Sequence, residues 1–154
     1  MHRILFVCLG NICRSPLGEG ILRHKAEKSR IKLTIDSAGT GNWHVGEHPD
    51  KRAIKTANDH GIDISKLAAR QITENDFENF DMIYVADAEV YDGVLNLALN
   101  REHKLKVDYI MNLVHPDLNM PVPDPYFGGA EGFEKVYDML DKACDKIIST
   151  LKGK

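Results

Sequence analysis

The sequence predicts a single α/β domain spanning residues 1–154, with a four-stranded parallel sheet carrying helices on both faces. Three observations lead there. The chain has 154 residues, the size of one domain. Strand-like and helix-like segments alternate along it, the pattern of a parallel sheet built by right-handed crossovers. The first strand-like segment is a continuous apolar run, as in strands buried on both faces.

Each element has its own signal. Residues 4–9 are uninterrupted apolar, and a Gly-Asn turn follows. Ser15-Pro16 then reads as a helix start, with Ser15 as cap and Pro16 at the first helical position, and the helix is expected to run to about Lys28. Residues 32–37 form the second strand, ended by Ala38-Gly39-Thr40-Gly41. His48-Pro49-Asp50 opens a helix that turns Ala53, Ile54 and Ala57 inward and stops before Gly61. Residues 81–86 read as a third strand, 89–99 as a helix and 106–110 as a short fourth strand. From Glu131 the stripe Phe133, Val136, Tyr137, Leu140, Cys144, Ile147, Ile148 and Leu151 marks a long amphipathic helix. The stretch 113–132 holds four of the six prolines and is long for a loop, which points to function.

Composition limits the function classes. Hydrophobic residues are 43% and charged residues 28%, which excludes a disordered or collagen-like chain. The net charge is −3, so no global positive field holds nucleic acid or an anionic membrane, and any anion site must be local. The N-terminal apolar run is too short for a signal core, and no stretch reaches the roughly 20 apolar residues of a membrane span. Three cysteines, Cys8, Cys13 and Cys144, are too few for a disulfide framework. A reducing cytoplasm is the expected location.

The chemistry concentrates where the first strand meets the first helix. Cys8 and Arg14 close a Cys-x5-Arg loop, with Leu9, Gly10, Asn11, Ile12 and Cys13 between them. Backbone N–H groups of such a loop form a nest for an oxyanion, and the helix N-terminus adds partial positive charge. Arg14 supplies a planar fork for two phosphate oxygens. These fields favour Cys8 as thiolate, so one site binds a tetrahedral anion and attacks it. Ser15 next to the loop is placed to donate a hydrogen bond to that thiolate. Such a displacement needs an acid for the leaving oxygen. Asp124, between Pro123 and Pro125 and followed by Tyr126, offers one. Cys13 sits on the same tightly curled loop as Cys8, so a reversible Cys8–Cys13 disulfide, with Cys13 as redox partner, is expected under peroxide. His44 and His48 share a loop without completing a ligand set, so they are expected as surface histidines and no metal is expected.

The run 7–16, Val-Cys-Leu-Gly-Asn-Ile-Cys-Arg-Ser-Pro, resembles the signature loop of the low-molecular-weight protein tyrosine phosphatases. Asp-Ser-Ala-Gly-Thr at 36–40, Trp-His-Val-Gly at 43–46, Arg70-Gln71 and Asp-Pro-Tyr at 124–126 resemble further landmarks in the same order. The resemblance implies Cys8 as nucleophile, Arg14 as phosphate clamp, and Asp124 as general acid and then base. It implies that Asn11, Ser15 and Ser37 shape the loop by hydrogen bonds, and that Trp43, Tyr126 and Phe127 line the substrate cleft. It further implies a monomer with no cofactor, phosphotyrosine-containing proteins as substrates, and inorganic phosphate as product and inhibitor. The chain departs from the family pattern at Leu67, where a His is frequent, at Val90 for Asn, and at Phe127 for a second Tyr. Three other readings remain: a protein arginine phosphatase, an arsenate reductase on the same fold, and a phosphate-binding module without catalysis. Ile12, where the arginine-specific branch carries Thr, favours phosphotyrosine.

Overall fold

Strand β1 (Arg3–Cys8) is the pivot of the fold, and its alternation builds two cores at once. Ile4, Phe6 and Cys8 face one way, against Leu17, Ala53, Phe133 and Leu140. Leu5 and Val7 face the other way, against Phe77, Val90 and Val94. Every apolar side chain of the strand is thereby withdrawn from water, at about 1.5–3 kcal/mol for each large one. The coordinates are a computed structural model that describes residues 2–126 and 128–153.

Around β1 lie β2 (Thr34–Gly39), β3 (Met82–Val85) and β4 (Val107–Tyr109), all parallel in the order β2-β1-β3-β4. The helices are α1 (Arg14–Lys28), α2 (Lys51–Asp59), α3 (Asp76–Asn79), α4 (Ala88–Leu95), α5 (Arg101–Leu105) and α6 (Ala130–Lys152). Helices α1, α2 and α6 cover the Phe6 face, while α3 and α4 cover the Val7 face. The chain leaves β1 for β2 on one side and returns to β3 on the other, so the crossovers diverge at the carboxyl end of β1. In open parallel sheets that is where ligands bind. Among the described residues no helix is long and apolar enough to cross a membrane.

Several boundaries differ from the sequence expectation, for local reasons. Helix α1 begins at Arg14, with Cys13 in the N-cap position and no side-chain cap. Ser15 is therefore not the cap: its hydroxyl is engaged with Cys8 and Asn11 inside the site. Strand β2 runs two residues further than expected, because Gly39 pairs with Cys8. The helix expected over 89–99 ends early, and a second helix, not expected from the sequence, follows it. Helix α4 stops at Leu95, and Asn100 starts α5 by accepting a hydrogen bond from His103 N at 2.9 Å. Strand β4 ends at Tyr109, where a 3-10 turn, Ile110–Leu113, takes over. Gly61 lies just past α2 with φ +81°, the left-handed value that a helix stop requires.

Candidate active site

The loop between β1 and α1 owes its shape to carbonyl groups held from outside. Cys8 O accepts from Thr40 N at 3.0 Å, Leu9 O from Gly41 N at 2.9 Å and Ile12 O from Asp50 N at 2.8 Å. There is no cis peptide bond among the described residues. In a trans peptide the next N–H points opposite the carbonyl. The amides of Leu9, Gly10 and Cys13 therefore point away from the supporting segments, to the concave side of the loop. Asn11 makes the turn at φ 58°, in the left-handed region that Asn tolerates.

Asn11 is also the hub of a buried hydrogen-bond chain. Its Oδ1 accepts from Arg70 N at 3.0 Å, which fixes the orientation of the amide. Its Nδ2 must then donate, to Ser15 Oγ at 2.7 Å and to Ser37 Oγ at 3.0 Å. Ser37 Oγ passes its own proton to Glu19 Oε1 at 2.7 Å, and Glu19 Oε2 accepts from Arg23 at 2.7 Å. Ser15 Oγ accepts from Asn11 and lies 2.9 Å from Cys8 Sγ, with Ala38 O at 3.4 Å as its other acceptor; toward a thiolate, which can only accept, the hydroxyl is the donor. Donation runs outward from Asn11 along two arms, one through Ser37 to Glu19 and the other to Ser15 beside the sulfur. Burial pushes the Glu19 carboxyl above its ordinary range, against the downward pull of the Ser37 and Arg23 hydrogen bonds.

Arg14 is 2% exposed. Its Nη1 donates to Asp87 Oδ2 at 2.7 Å and to Val122 O at 2.8 Å, and its Nη2 lies 4.0 Å from Asp124 Oδ2. Burial opposes the guanidinium charge, but the neighbouring Cys8 and the Asp87 hydrogen bond outweigh it and hold Arg14 firmly cationic. Burial, with help from Asp50 and Cys8, pushes the Cys13 thiol far up. All three cysteines are free and buried, and Cys144 lies in the core away from the cleft, with Gly18 O as its nearest acceptor.

A cleft of about 190 Å³ brings together Cys8, Leu9, Gly10, Ile12, Cys13, Arg14, Trp43, Asp124 and Tyr126. Asn11, Ser15 and Ser37 sit behind the loop as supports. Phe127 lies outside the described residues. Trp43 is 66% exposed and folds over Gly41, where an added Cβ would lie 1.8 Å from the indole. Leu67 is half-buried, and its carbonyl accepts from His48 Nδ1 at 2.9 Å. Among the described residues no three His, Cys, Asp or Glu side chains converge as a metal site.

Sequence reasoning assigned no site role to four residues here. Asp87 caps α4 through Val90 N and holds Arg14 from behind. Its position at the carboxyl end of a strand, just before a helix, was the available signal. His44 lines the cleft with Nδ1 3.0 Å from Glu47 Oε2. Glu19 carries no local signal, and Arg70, part of the Arg70-Gln71 landmark, supports Asn11 through its backbone N–H.

A family model described as low molecular weight phosphotyrosine protein phosphatase matches residues 3–154. The low molecular weight phosphotyrosine protein phosphatase of Schizosaccharomyces pombe is 40% identical over 97% of this chain and 96% of its own. The Bacillus subtilis low molecular weight protein-tyrosine-phosphatase YfkJ is 37% identical over 99% of this chain and 97% of its own. The crystal structure of a protein tyrosine phosphatase from Entamoeba histolytica superposes with a TM-score of 0.91, at 34% identity, covering 99% of this chain and 98% of that one.

Proposed function

The chain belongs to the low molecular weight phosphotyrosine protein phosphatase family, and from that membership we propose that it hydrolyses phosphotyrosine in proteins through a phosphocysteine on Cys8. The observation that carries the reading is one cleft holding Cys8, Arg14 and Asp124, drawn from distant parts of the chain. The Cys8 thiolate attacks phosphorus in line. The loop amides and Arg14 Nη2 take the equatorial oxygens, while Arg14 Nη1 stays anchored on Asp87 and Val122. The phosphorus–oxygen bond to the tyrosine breaks, and that oxygen takes its proton from Asp124. Asp124, now a carboxylate, removes a proton from water as water attacks the phosphocysteine. The sulfur leaves as thiolate, stabilised by the Ser15 hydroxyl, and inorganic phosphate departs.

Trp43 and Tyr126 wall the cleft with aromatic surface that suits a phenolic ring, and Ile12 on its lining favours a phenol over a guanidinium. No metal or cofactor is required, because the loop and Arg14 supply the charge, and free phosphate competes for the same nest. The whole chain acts as one cytoplasmic, monomeric phosphatase domain. Its redox branch begins with peroxide converting the Cys8 thiolate to a sulfenic acid. The Cys13 thiolate then attacks that sulfur and expels hydroxide, which is released as water, leaving a disulfide that dithiols reduce.

Matched peptides carrying phosphotyrosine, phosphoserine or phosphoarginine test the substrate class. Phosphotyrosine turnover exceeding the other two by at least about 10²-fold is expected, since the shorter serine ester does not reach the sulfur from the aromatic rim. Equal rates on phosphotyrosine and phosphoserine, or a preference for phosphoarginine, contradict it. Cys8→Ser is expected to abolish turnover on every substrate.

A further inference from the structure

Asp124 is aimed by a backbone amide. Its Oδ1 accepts from Tyr126 N at 3.0 Å, which directs Oδ2 toward Arg14. The Tyr126 peptide is held in turn by Arg52. Arg52 Nη2 donates to Tyr126 O at 2.9 Å, and Nη1 donates to Gly128 O at 3.2 Å. The same guanidinium is locked from the other side. Nε and Nη2 donate to the two oxygens of Asp50, each at 3.0 Å, and the Asp50 amide donates to Ile12 O of the phosphate loop at 2.8 Å. The guanidinium carbon lies 4.8 Å from the Phe133 ring and 5.5 Å from the Tyr126 ring, so it packs on aromatic surface as well as being bonded.

We propose that Arg52 is a positioning residue for the proton donor: it ties the turn that aims Asp124 to the Asp50 backbone that shapes the phosphate loop. The assignment rests on Asp124 being that donor. Arg52 fixes the distance between the attacking end and the protonating end of the site, through a contact to Tyr126, 74 residues along the chain. Only a planar fork reaches the Asp50 carboxylate and two carbonyls together. A lone exposed ion pair contributes little to stability, so the multiple grip speaks for geometry.

The test is kcat/KM for a series of aryl phosphates, from phenol to dinitrophenol leaving groups. The proteins are wild type, Arg52→Met, Arg52→Lys, Asp124→Asn and the Arg52→Met/Asp124→Asn double variant, with inhibition by inorganic phosphate measured in parallel. Arg52→Met is expected to lose about tenfold or more on phenyl phosphate, as misplaced catalytic groups do, and less than about twofold on the dinitrophenyl ester. Phosphate inhibition is expected to stay within about twofold, since the nest itself is intact. Arg52→Lys falls between. In the Asp124→Asn background Arg52→Met is expected to add no further leaving-group dependence. An equal loss across leaving groups, or the same loss with Asp124 already removed, overturns the assignment of Arg52. If Asp124→Asn steepens the leaving-group dependence and Arg52→Met does not, Arg52 alone is wrongly assigned. If Asp124→Asn leaves the dependence unchanged, the donor reading fails and this proposal with it. Arg52→Gln gives the same readout if Arg52→Met does not fold.

Discussion

In the proposed reaction Ser15 separates the two halves. Its hydroxyl, held by Asn11, lies 2.9 Å from Cys8 Sγ and is placed to donate to a thiolate there. A hydrogen bond to a charged partner contributes about 1.5–3 kcal/mol, so Ser15→Ala is expected to slow breakdown of the phosphoenzyme by roughly tenfold to a hundredfold. Rapid-quench kinetics would show it as a larger burst of phenol followed by a slower steady state, whereas a smaller burst contradicts it. Cys13 gives a second expectation. Its buried thiol is held well above the ordinary range, first by desolvation, so little of it is thiolate near neutrality. Closure of a Cys8–Cys13 disulfide after peroxide is therefore expected to accelerate about tenfold per pH unit. Peptide mapping of quenched samples measures it, and a pH-independent rate contradicts it. Cys8, Arg14 and Asp124 were legible in the sequence because each sits in a short local pattern. Asp87 and Arg52 were not, because their partners lie 73 and 74 residues away.

Helix α1 shows how an element can defy its own propensity. It carries Gly18 and Gly20 in its interior, each about 1 kcal/mol worse than Ala. The reason is packing. A Cβ on Gly20 would lie 2.4 Å from Ile64 Cγ2, and one on Gly18 would lie 3.2 Å from the Phe6 ring. Gly20→Ala is expected to destabilise the protein by about 1–3 kcal/mol in denaturant unfolding, the overpacking loss exceeding the propensity gain. An unchanged or increased stability contradicts that packing. The stripe of α6 was plain in the sequence because one face meets one core. Helix α5 was not, since Asn100 reads as a loop residue until its cap bond is seen. The start of α1 was misplaced for a related reason: Ser15 has the chemistry of a cap, but Cys8 and Asn11 claim its hydroxyl.

At the scale of the whole molecule, one parallel sheet divides two cores and places the cleft where its crossovers diverge. That much was readable from alternation and apolar runs. The support of the cleft was not, because it is a network across the fold, and Glu19 is its buried end. Burial raises the Glu19 carboxyl above its unfolded value, so folding favours the protonated form. Its stabilisation relative to Glu19→Gln is greatest below the ordinary carboxylate range and declines as pH rises toward the raised folded value. Asp50 and Asp81 act in the opposite sense. Hydrogen bonds from Arg52 and Arg3 hold them below the ordinary range, so their contribution is present near neutrality and lost on acidification. Unfolding of wild type and Glu19→Gln across pH measures the difference, and a gap that widens in favour of wild type with rising pH contradicts it. The central claim, a covalent phosphoryl group on Cys8, has a direct measurement. Wild type and Asp124→Asn are mixed with a dinitrophenyl phosphate, quenched in acid within milliseconds and mapped by mass spectrometry. Activated phenols need little acid to leave, while breakdown without Asp124 lacks its base, so the variant is expected to accumulate the intermediate. The account predicts one phosphoryl group on the Cys8 peptide, abundant in Asp124→Asn, transient in wild type and absent from Cys8→Ser. A phosphoryl group on another residue, or turnover with none trapped in either protein, would contradict it.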